Sequence, residues 1–188
     1  MSLAPTPSQT VGPFYGHALP FPGGGDVAPA GHPGTVTVHG HVFDGRGEPV
    51  PDALVETWQP APGGSRTGRP GSLRRDPATG RIAGRDGVAF TGFGRVATDA
   101  DGHWAVRTLP PGGVPYLCAA VFARGLVHHL RTRMYLPDLL ALAPGDPLLE
   151  SLDAGRRTTL VAARTDPRTY RFDIRLQGDG ETVFLEFS

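Results

Sequence analysis

The sequence predicts an all-β protein, a β-sandwich of mixed or antiparallel sheets with long loops, an extended N-terminal arm and one or two short helices. Two observations carry this prediction. Several segments alternate apolar and polar residues with the period of two that is typical of strands with one buried face, most clearly residues 170–176. The 27 glycines and 20 prolines punctuate apolar segments without forming a repeat, which indicates ordered loops between strands.

The first strands are predicted early in the chain, as a hairpin. Val36, Val38 and Val42 alternate with polar residues, glycines and prolines in 44–51 predict a reversal, and a second strand follows at 53–59. Such a hairpin is common in β-sandwich modules of the transthyretin type. Further strands are predicted at 94–98, 103–108, 116–122, 130–136, 158–163, 170–176 and 182–187.

Helical signals are few. Asp146 before Pro147 predicts an N-cap and a first-turn proline, with Glu150 in the same turn, and Asp138 is expected to cap another turn. Seven prolines in residues 1–34 argue against a helix there, yet that segment is too apolar for a solvated tail. We therefore expect an arm over 1–34 that lies against another surface, and a sandwich domain over 35–188.

Composition excludes several classes of partner. The 18 basic and 18 acidic residues cancel, so no broad field recruits nucleic acid or an anionic membrane. The N-terminus lacks the pattern of a signal peptide, and no window approaches the ~20 apolar residues of a membrane span. A cytoplasmic location is expected, and the single cysteine forbids an intrachain disulfide.

Two histidine pairs are candidate metal ligands. His39 and His41 share the strand face opposite the valines, and a solvated or interface face explains them better than a metal does. His128 and His129 are adjacent and would point to opposite sides of a strand, which makes a shared metal less favoured still.

Other reactive residues also have plain structural interpretations. Asp99 and Asp101 are expected in a hairpin turn between two strands, because the glutamate that closes a calcium loop is absent. Cys118 is expected to be a buried, inert thiol within an apolar run. Arg133 alternates with Arg131 along a strand, and it is expected either to be solvated or to bind a carboxylate in bidentate fashion.

Four runs resemble the intradiol ring-cleavage dioxygenases over nearly the whole chain. They are TPSQTVGPFY, the segment 36–59, GFGRVATDADGHWAVRTLPPG and VFARGLVHHLRTRMYLPD, and the last is most similar to the alpha subunits of two-subunit members. The resemblance implies αβ protomers in a larger oligomer. It also implies that a non-haem Fe(III) centre and O2 cleave protocatechuate to 3-carboxy-cis,cis-muconate in the β-ketoadipate pathway.

The resemblance further implies an iron site made of two tyrosines and a His-x-His pair, and these ligands are missing here. After Trp58 and Gln59, Arg66 stands near the place of the first tyrosine, and residues 113–115 offer none for the second. The position of the His-x-His pair reads as the segment 116–118, Tyr-Leu-Cys. A shifted alignment would let Tyr116 fill one tyrosine position but not two, so three or four of the four ligands are missing. We therefore expect no metal ligand and no catalytic residue in this chain, with Fe(III) bound by the beta subunit. Thr57, in place of an apolar residue, affects only local packing.

The resemblance gives this chain a role at the interface with the beta subunit. By motif match, Thr10, Gly12, Pro13 and Arg133 are expected to line the substrate pocket of the beta subunit, and Arg133 to help place the negatively charged ring. Residues 1–34 are then the arm that packs on that partner, since prolines lower the ordering cost of such a segment.

Two other hypotheses stay open. One is a freestanding transthyretin-like binding module, which leaves the TVGP and VFARG runs without a reason. The other is a single-chain intradiol dioxygenase with unusual ligands, which the missing His-x-His pair disfavours. A neighbouring reading frame that encodes a homologous chain with two tyrosines and a His-x-His pair would favour the hypothesis of a subunit.

Overall fold

The computed structural model describes residues 10, 12, 14–69 and 72–186. Strands predominate, and the all-β prediction is confirmed. The strands are β1 (Val36–Phe43), β2 (Leu54–Trp58), β3 (Leu73–Arg75), β4 (Ile82–Arg85), β5 (Phe93–Ala97), β6 (His103–Thr108), β7 (Tyr116–Phe122), β8 (Leu130–Tyr135), β9 (Ala163–Asp166), β10 (Thr169–Arg171) and β11 (Ile174–Arg175). The helices are α1 (Tyr15–Ala18), α2 (Pro137–Leu140), α3 (Pro147–Ser151) and α4 (Ala154–Thr158). In the described part of the chain, no helix is long and apolar enough to cross a membrane.

Two sheets pack face to face around one core. In the first, β1 pairs antiparallel with β6 and parallel with β10 and β11, and β9 pairs with β10. The second is antiparallel, in the order β5, β2, β7, β8, and β3 and β4 form a separate hairpin. Buried side chains from both sheets form one cluster, which includes Val38, Val42, Val55, Trp104, Val106, Leu117, Val121 and Met134.

The predicted hairpin between β1 and β2 is wrong, because the two strands lie in different sheets. Alternation reports which face of a strand is buried, and strands that face each other across a core show the same alternation as paired strands. Likewise, Asp99 and Asp101 do lie in a turn, but the hairpin predicted there is wrong, because the turn connects β5 and β6, which lie in different sheets. The Asp99 carboxylate accepts hydrogen bonds from the backbone N–H groups of Asp101 and His103, at 3.0 and 2.9 Å.

The C-terminal predictions are partly wrong. The strand expected at 158–163 is replaced by the end of α4 and the later start of β9, and the strand expected at 170–176 is broken into β10 and β11. No strand is assigned in 182–186, although Leu185 N–H donates to the carbonyl of Arg131 at 2.7 Å. The hairpin of β3 and β4 was not predicted. In 170–176 the alternation correctly marks the buried face, but regular pairing with β1 is interrupted between Arg171 and Ile174.

The helix predictions are confirmed only in part. Asp146 caps α3, since its side chain accepts hydrogen bonds from the backbone N–H groups of Leu148 and Leu149. Asp138 instead lies in the first turn of α2, whose N-cap is Leu136, so the prediction for Asp138 is wrong. Asp153 caps α4, which was not predicted.

The arm contains a helix, contrary to the prediction from its prolines. The helix α1 has only four residues and fits between Pro13 and Pro20 in the sequence. The Tyr15 hydroxyl donates to the carbonyl of Asp52 at 2.7 Å, and Phe21 and Val27 are buried. Much of the segment 14–28 therefore packs on this chain's own sandwich, while packing of the arm on a partner stays a prediction.

Gly40 in β1 marks a place where the sheet tolerates no side chain. A Cβ added there would overlap the backbone carbonyl of Phe172, in the break between β10 and β11. We expect Gly40→Ala to lower the free energy of unfolding by about 1–3 kcal/mol, the usual cost of a forced backbone shift. Denaturant unfolding measures this change.

The matched control is Gly63→Ala, because an added Cβ at Gly63 meets nothing within 4 Å and Gly63 has no positive φ. Equal losses for the two variants would contradict the overlap as the cause.

Candidate functional site

Arg133 lies on the outer face of β8, within a small aromatic cluster. Its guanidinium carbon is 4.3 Å from the centroid of the Tyr116 ring, and Nη1 donates to the Tyr135 hydroxyl at 3.3 Å. Nη1 is also 4.0 Å from the Oδ2 atom of Asp146. This ion pair is long and single, so neither a fully solvated nor a bidentate Arg133 is found. The side chain is 28% exposed and retains a free edge.

Asp146 joins this cluster to the start of α3. Its carboxylate caps the helix and also accepts a hydrogen bond from the Tyr135 hydroxyl at 2.9 Å. Burial raises the pKa of Tyr135 to about 12, and the hydrogen bond from Arg133 acts against that rise. Tyr135 is therefore a neutral donor that anchors Arg133. No sequence pattern predicts the contact between Arg133 and Asp146, because the N-cap alone accounts for Asp146.

A row of outward-facing side chains crosses the second sheet beside this cluster. Strand register places Phe93 opposite Trp58, Trp58 opposite Cys118, and Cys118 opposite Arg133. The Trp58 and Phe93 rings have centroids 5.6 Å apart, and the Trp58 side chain is 49% exposed. The outer face of this sheet thus carries a large aromatic surface next to a cation.

Cys118 corrects another prediction, because it is exposed rather than buried. In β7, Leu117, Ala119 and Val121 face the core, and Cys118 faces outward. The apolar run resembled a buried strand because its outward residues are also uncharged. Desolvation raises the pKa of the Cys118 thiol, while the nearby charges of Arg133 and Arg66 lower it. The thiol is therefore neutral near pH 7.

The side chains at this position do not suit a ferric ion. Arg66, Tyr116 and Cys118 line a common pocket, which offers one phenol oxygen, one neutral thiol and a fixed cation, and no imidazole among the described lining residues. Among the described residues, no three His, Cys, Asp or Glu side chains form a group that could hold a metal.

The histidines of β1 lie on the outer face of the first sheet, as predicted. The sequence did not predict their neighbour on β6, since His39 Nδ1 is 3.2 Å from His103 Nε2. His41 Nδ1 lies 3.7 Å from a carboxylate oxygen of Asp173. Burial, followed by the charge of His103, lowers the pKa of His39. These contacts account for the histidines as part of a polar sheet face.

The placement of Thr10, Gly12, Pro13 and Arg133 beside the substrate pocket of a partner stays a prediction. Pro13 lies outside the described residues, Thr10 is exposed, and Gly12 has a φ of 74°. Within the described ranges, no hydrogen bond or ion pair joins Thr10 or Gly12 to Arg133.

Comparison with known proteins places the chain in a family. Residues 12–124 match the model of a family described as "Dioxygenase". The protocatechuate 3,4-dioxygenase alpha chain of Burkholderia cepacia is 39% identical, and that of Pseudomonas putida 35%, each over 98% of both chains. The beta chain from Burkholderia cepacia is 30% identical over 81% of this chain and 62% of its own length.

Solved structures share the fold. The dioxygenase domain of a carbohydrate-binding fusion protein from Streptomyces sp. SirexAA-E matches with a TM-score of 0.55 and 25% identity, over 93% of this chain and 99% of that one. Catechol 1,2-dioxygenase from Acinetobacter sp. ADP1 matches with a TM-score of 0.52 and 21% identity, over 87% and 60%. The chain belongs to the intradiol dioxygenase family and, within it, groups with the protocatechuate 3,4-dioxygenase alpha chains.

Proposed function

We propose that this chain is the alpha subunit of an intradiol dioxygenase that cleaves protocatechuate to 3-carboxy-cis,cis-muconate. The observation that carries the proposal is its similarity to two alpha chains over nearly their full length. The family is one of non-haem iron enzymes. In this proposal a homologous beta subunit binds the Fe(III), because Arg66 and Cys118 stand where this chain would need ligands.

A subunit partnership has support from the relatives, since both alpha and beta chains match this sequence. We propose αβ protomers within a larger, cytoplasmic oligomer. The arm over 1–34 reaches the beta subunit through its first residues, while the segment that contains Tyr15 and Phe21 fixes its base on the sandwich. Thr10, Gly12 and Pro13 then lie against the pocket of the partner.

Arg133 supplies the charge in this proposal. The Tyr116 ring, the Tyr135 hydroxyl and the Asp146 carboxylate hold the guanidinium group in one place while part of it stays exposed. Asp146 approaches only one of the terminal nitrogens, so the other side can donate hydrogen bonds to a carboxylate of the substrate. Arg133 orients the ring, and it takes no part in bond breaking.

We expect Arg133→Ala to lower the kcat/KM of the assembled enzyme about tenfold to a hundredfold, mainly through KM. The reason is the loss of about 1.5–3 kcal/mol from hydrogen bonds to a charged group. Steady-state kinetics on the copurified assembly measure this change.

The matched control is Arg131→Ala, two residues earlier on the same strand face, which should leave KM within about twofold. Wild-type KM and kcat in the Arg133→Ala assembly would refute the role of Arg133.

A further inference from the structure

The pocket beside Trp58 is built like a binding site although it suits no metal. Trp58, Arg66, Val114, Tyr116 and Cys118 line a cavity of about 240 Å³, here called the Trp58 pocket. This volume is slightly below the range for drug-sized ligands, so it fits a small molecule of about one ring. The half-exposed Trp58 indole provides a flat apolar wall.

The charge of the Trp58 pocket is positive. Arg66 lines it, and no carboxylate in the described part of the chain forms an ion pair with Arg66. Arg133 stacks on Tyr116 at its edge, and both guanidinium groups act electrostatically on Cys118. Among the described residues, no acidic side chain lines the pocket. An unpaired guanidinium in an aromatic pocket is complementary to a planar anion.

The walls of the Trp58 pocket are held in place before any ligand binds. Gln59 Nε2 donates to the carbonyl of Leu109 at 2.6 Å, and Gln59 Oε1 accepts from the Thr108 hydroxyl at 2.8 Å. The loop that carries Arg66 is closed by a hydrogen bond from Ala61 N–H to the carbonyl of Ser65 at 2.8 Å. Such fixed walls lower the entropic cost of binding.

The same loop packs tightly on its neighbour. Gly112 N–H donates to the Ala61 carbonyl at 3.2 Å, and a Cβ on Gly112 would overlap the backbone of Pro62. Arg66 therefore extends from a loop whose base is fixed against the strand connection that precedes Tyr116.

We propose that the Trp58 pocket is a non-catalytic binding site for a small aromatic carboxylate. The ring stacks on Trp58 and contacts Val114, and the carboxylate accepts hydrogen bonds from the Arg66 guanidinium. The neutral Cys118 thiol forms a floor that does not repel the anion. This proposal does not rest on the role of the chain as an alpha subunit, because binding at this pocket requires no iron and no turnover.

Benzoate is the probe, since it carries the ring and the carboxylate but no hydroxyl groups for ring cleavage. We expect calorimetric titration of the purified protein, with any partner that copurifies, to show saturable benzoate binding. The intrinsic fluorescence should change along with the heat, because Trp58 is half exposed and Trp104 is 1% exposed. Arg66→Gln should weaken this binding at least about tenfold, as expected for the loss of a charged hydrogen-bond donor.

Arg46→Gln is the matched control, because Arg46 is exposed in the turn after β1 and its loss changes the net charge equally. A second variant, Cys118→Phe, fills the floor while both arginines remain, and it should also abolish binding. Benzoate bound to a partner is unaffected by Arg66→Gln, so the difference between the two titrations isolates this pocket.

Two neutral or ring-free probes separate the parts of the proposal. Benzamide keeps the ring without the charge, and acetate keeps the charge without the ring, and each should bind at least about tenfold more weakly than benzoate. Acetate binding as tight as benzoate binding would overturn the aromatic requirement. Benzoate binding that is absent, or that Arg66→Gln leaves unchanged, would overturn the site.

Discussion

Purified alone and supplied with ferric iron, protocatechuate and O2, the chain is expected to show no ring cleavage. Activity should appear only when a homologous beta subunit is present. The physical reason is the donor set, since Arg66 places a positive charge and Cys118 a protonated thiol where the family needs ligands. Loss of the iron removes the whole reaction, so this effect is the largest that the proposal predicts.

The measurement combines gentle copurification from the native host with intact mass, iron analysis and an oxygen-uptake assay. We expect an iron-containing homologue in constant ratio to this chain, and no iron retained by this chain after separation. Iron-dependent turnover by the separated chain would support a single-chain dioxygenase with unusual ligands. A chain that emerges alone and inactive would favour the freestanding binding module.

The binding-module hypothesis and the subunit proposal make different predictions for the Trp58 pocket. A binding module predicts benzoate binding with no partner, whereas a subunit predicts activity that depends on the partner whether or not benzoate binds. The Arg66→Gln variant separates the two properties, because Arg66 lines the pocket of this chain and is not among the residues proposed to contact the beta subunit.

The sequence predicted the longer strands well, except that the regular alternation of 170–176 is divided between β10 and β11. β1, β6 and β7 are found at or near their predicted bounds, since each has an uninterrupted buried face. The alternation does not determine which strands pair, because β1 and β2 both face the core although they lie in opposite sheets. The candidate site was predicted to the same extent, in its residues but not in their contacts. Arg133 could be chosen by motif, but its contacts with Tyr116 and Asp146 depend on chain segments that only folding brings together.

Trp104 carries the largest stability effect that the structure predicts. It lies in β6, is 1% exposed, and belongs to the cluster that joins the two sheets. We expect Trp104→Ala to lower the free energy of unfolding by about 3–5 kcal/mol, from lost burial and from the cavity that remains. Denaturant unfolding measures this loss of stability, and we expect the m-value to stay unchanged.

Trp58→Ala is the matched control, because it removes the same side chain from an outer face where it is 49% exposed. We expect this variant to cost about 1 kcal/mol or less, in keeping with typical surface changes, while it abolishes the fluorescence response to benzoate. Trp104→Phe should cost less than Trp104→Ala, because the ring still fills most of the space and the buried Nε1–H of Trp104 has no hydrogen-bond partner in the described structure. Equal losses of stability in Trp104→Ala and Trp58→Ala would contradict the division between a tryptophan that holds the sheets together and one that is free to bind a ligand.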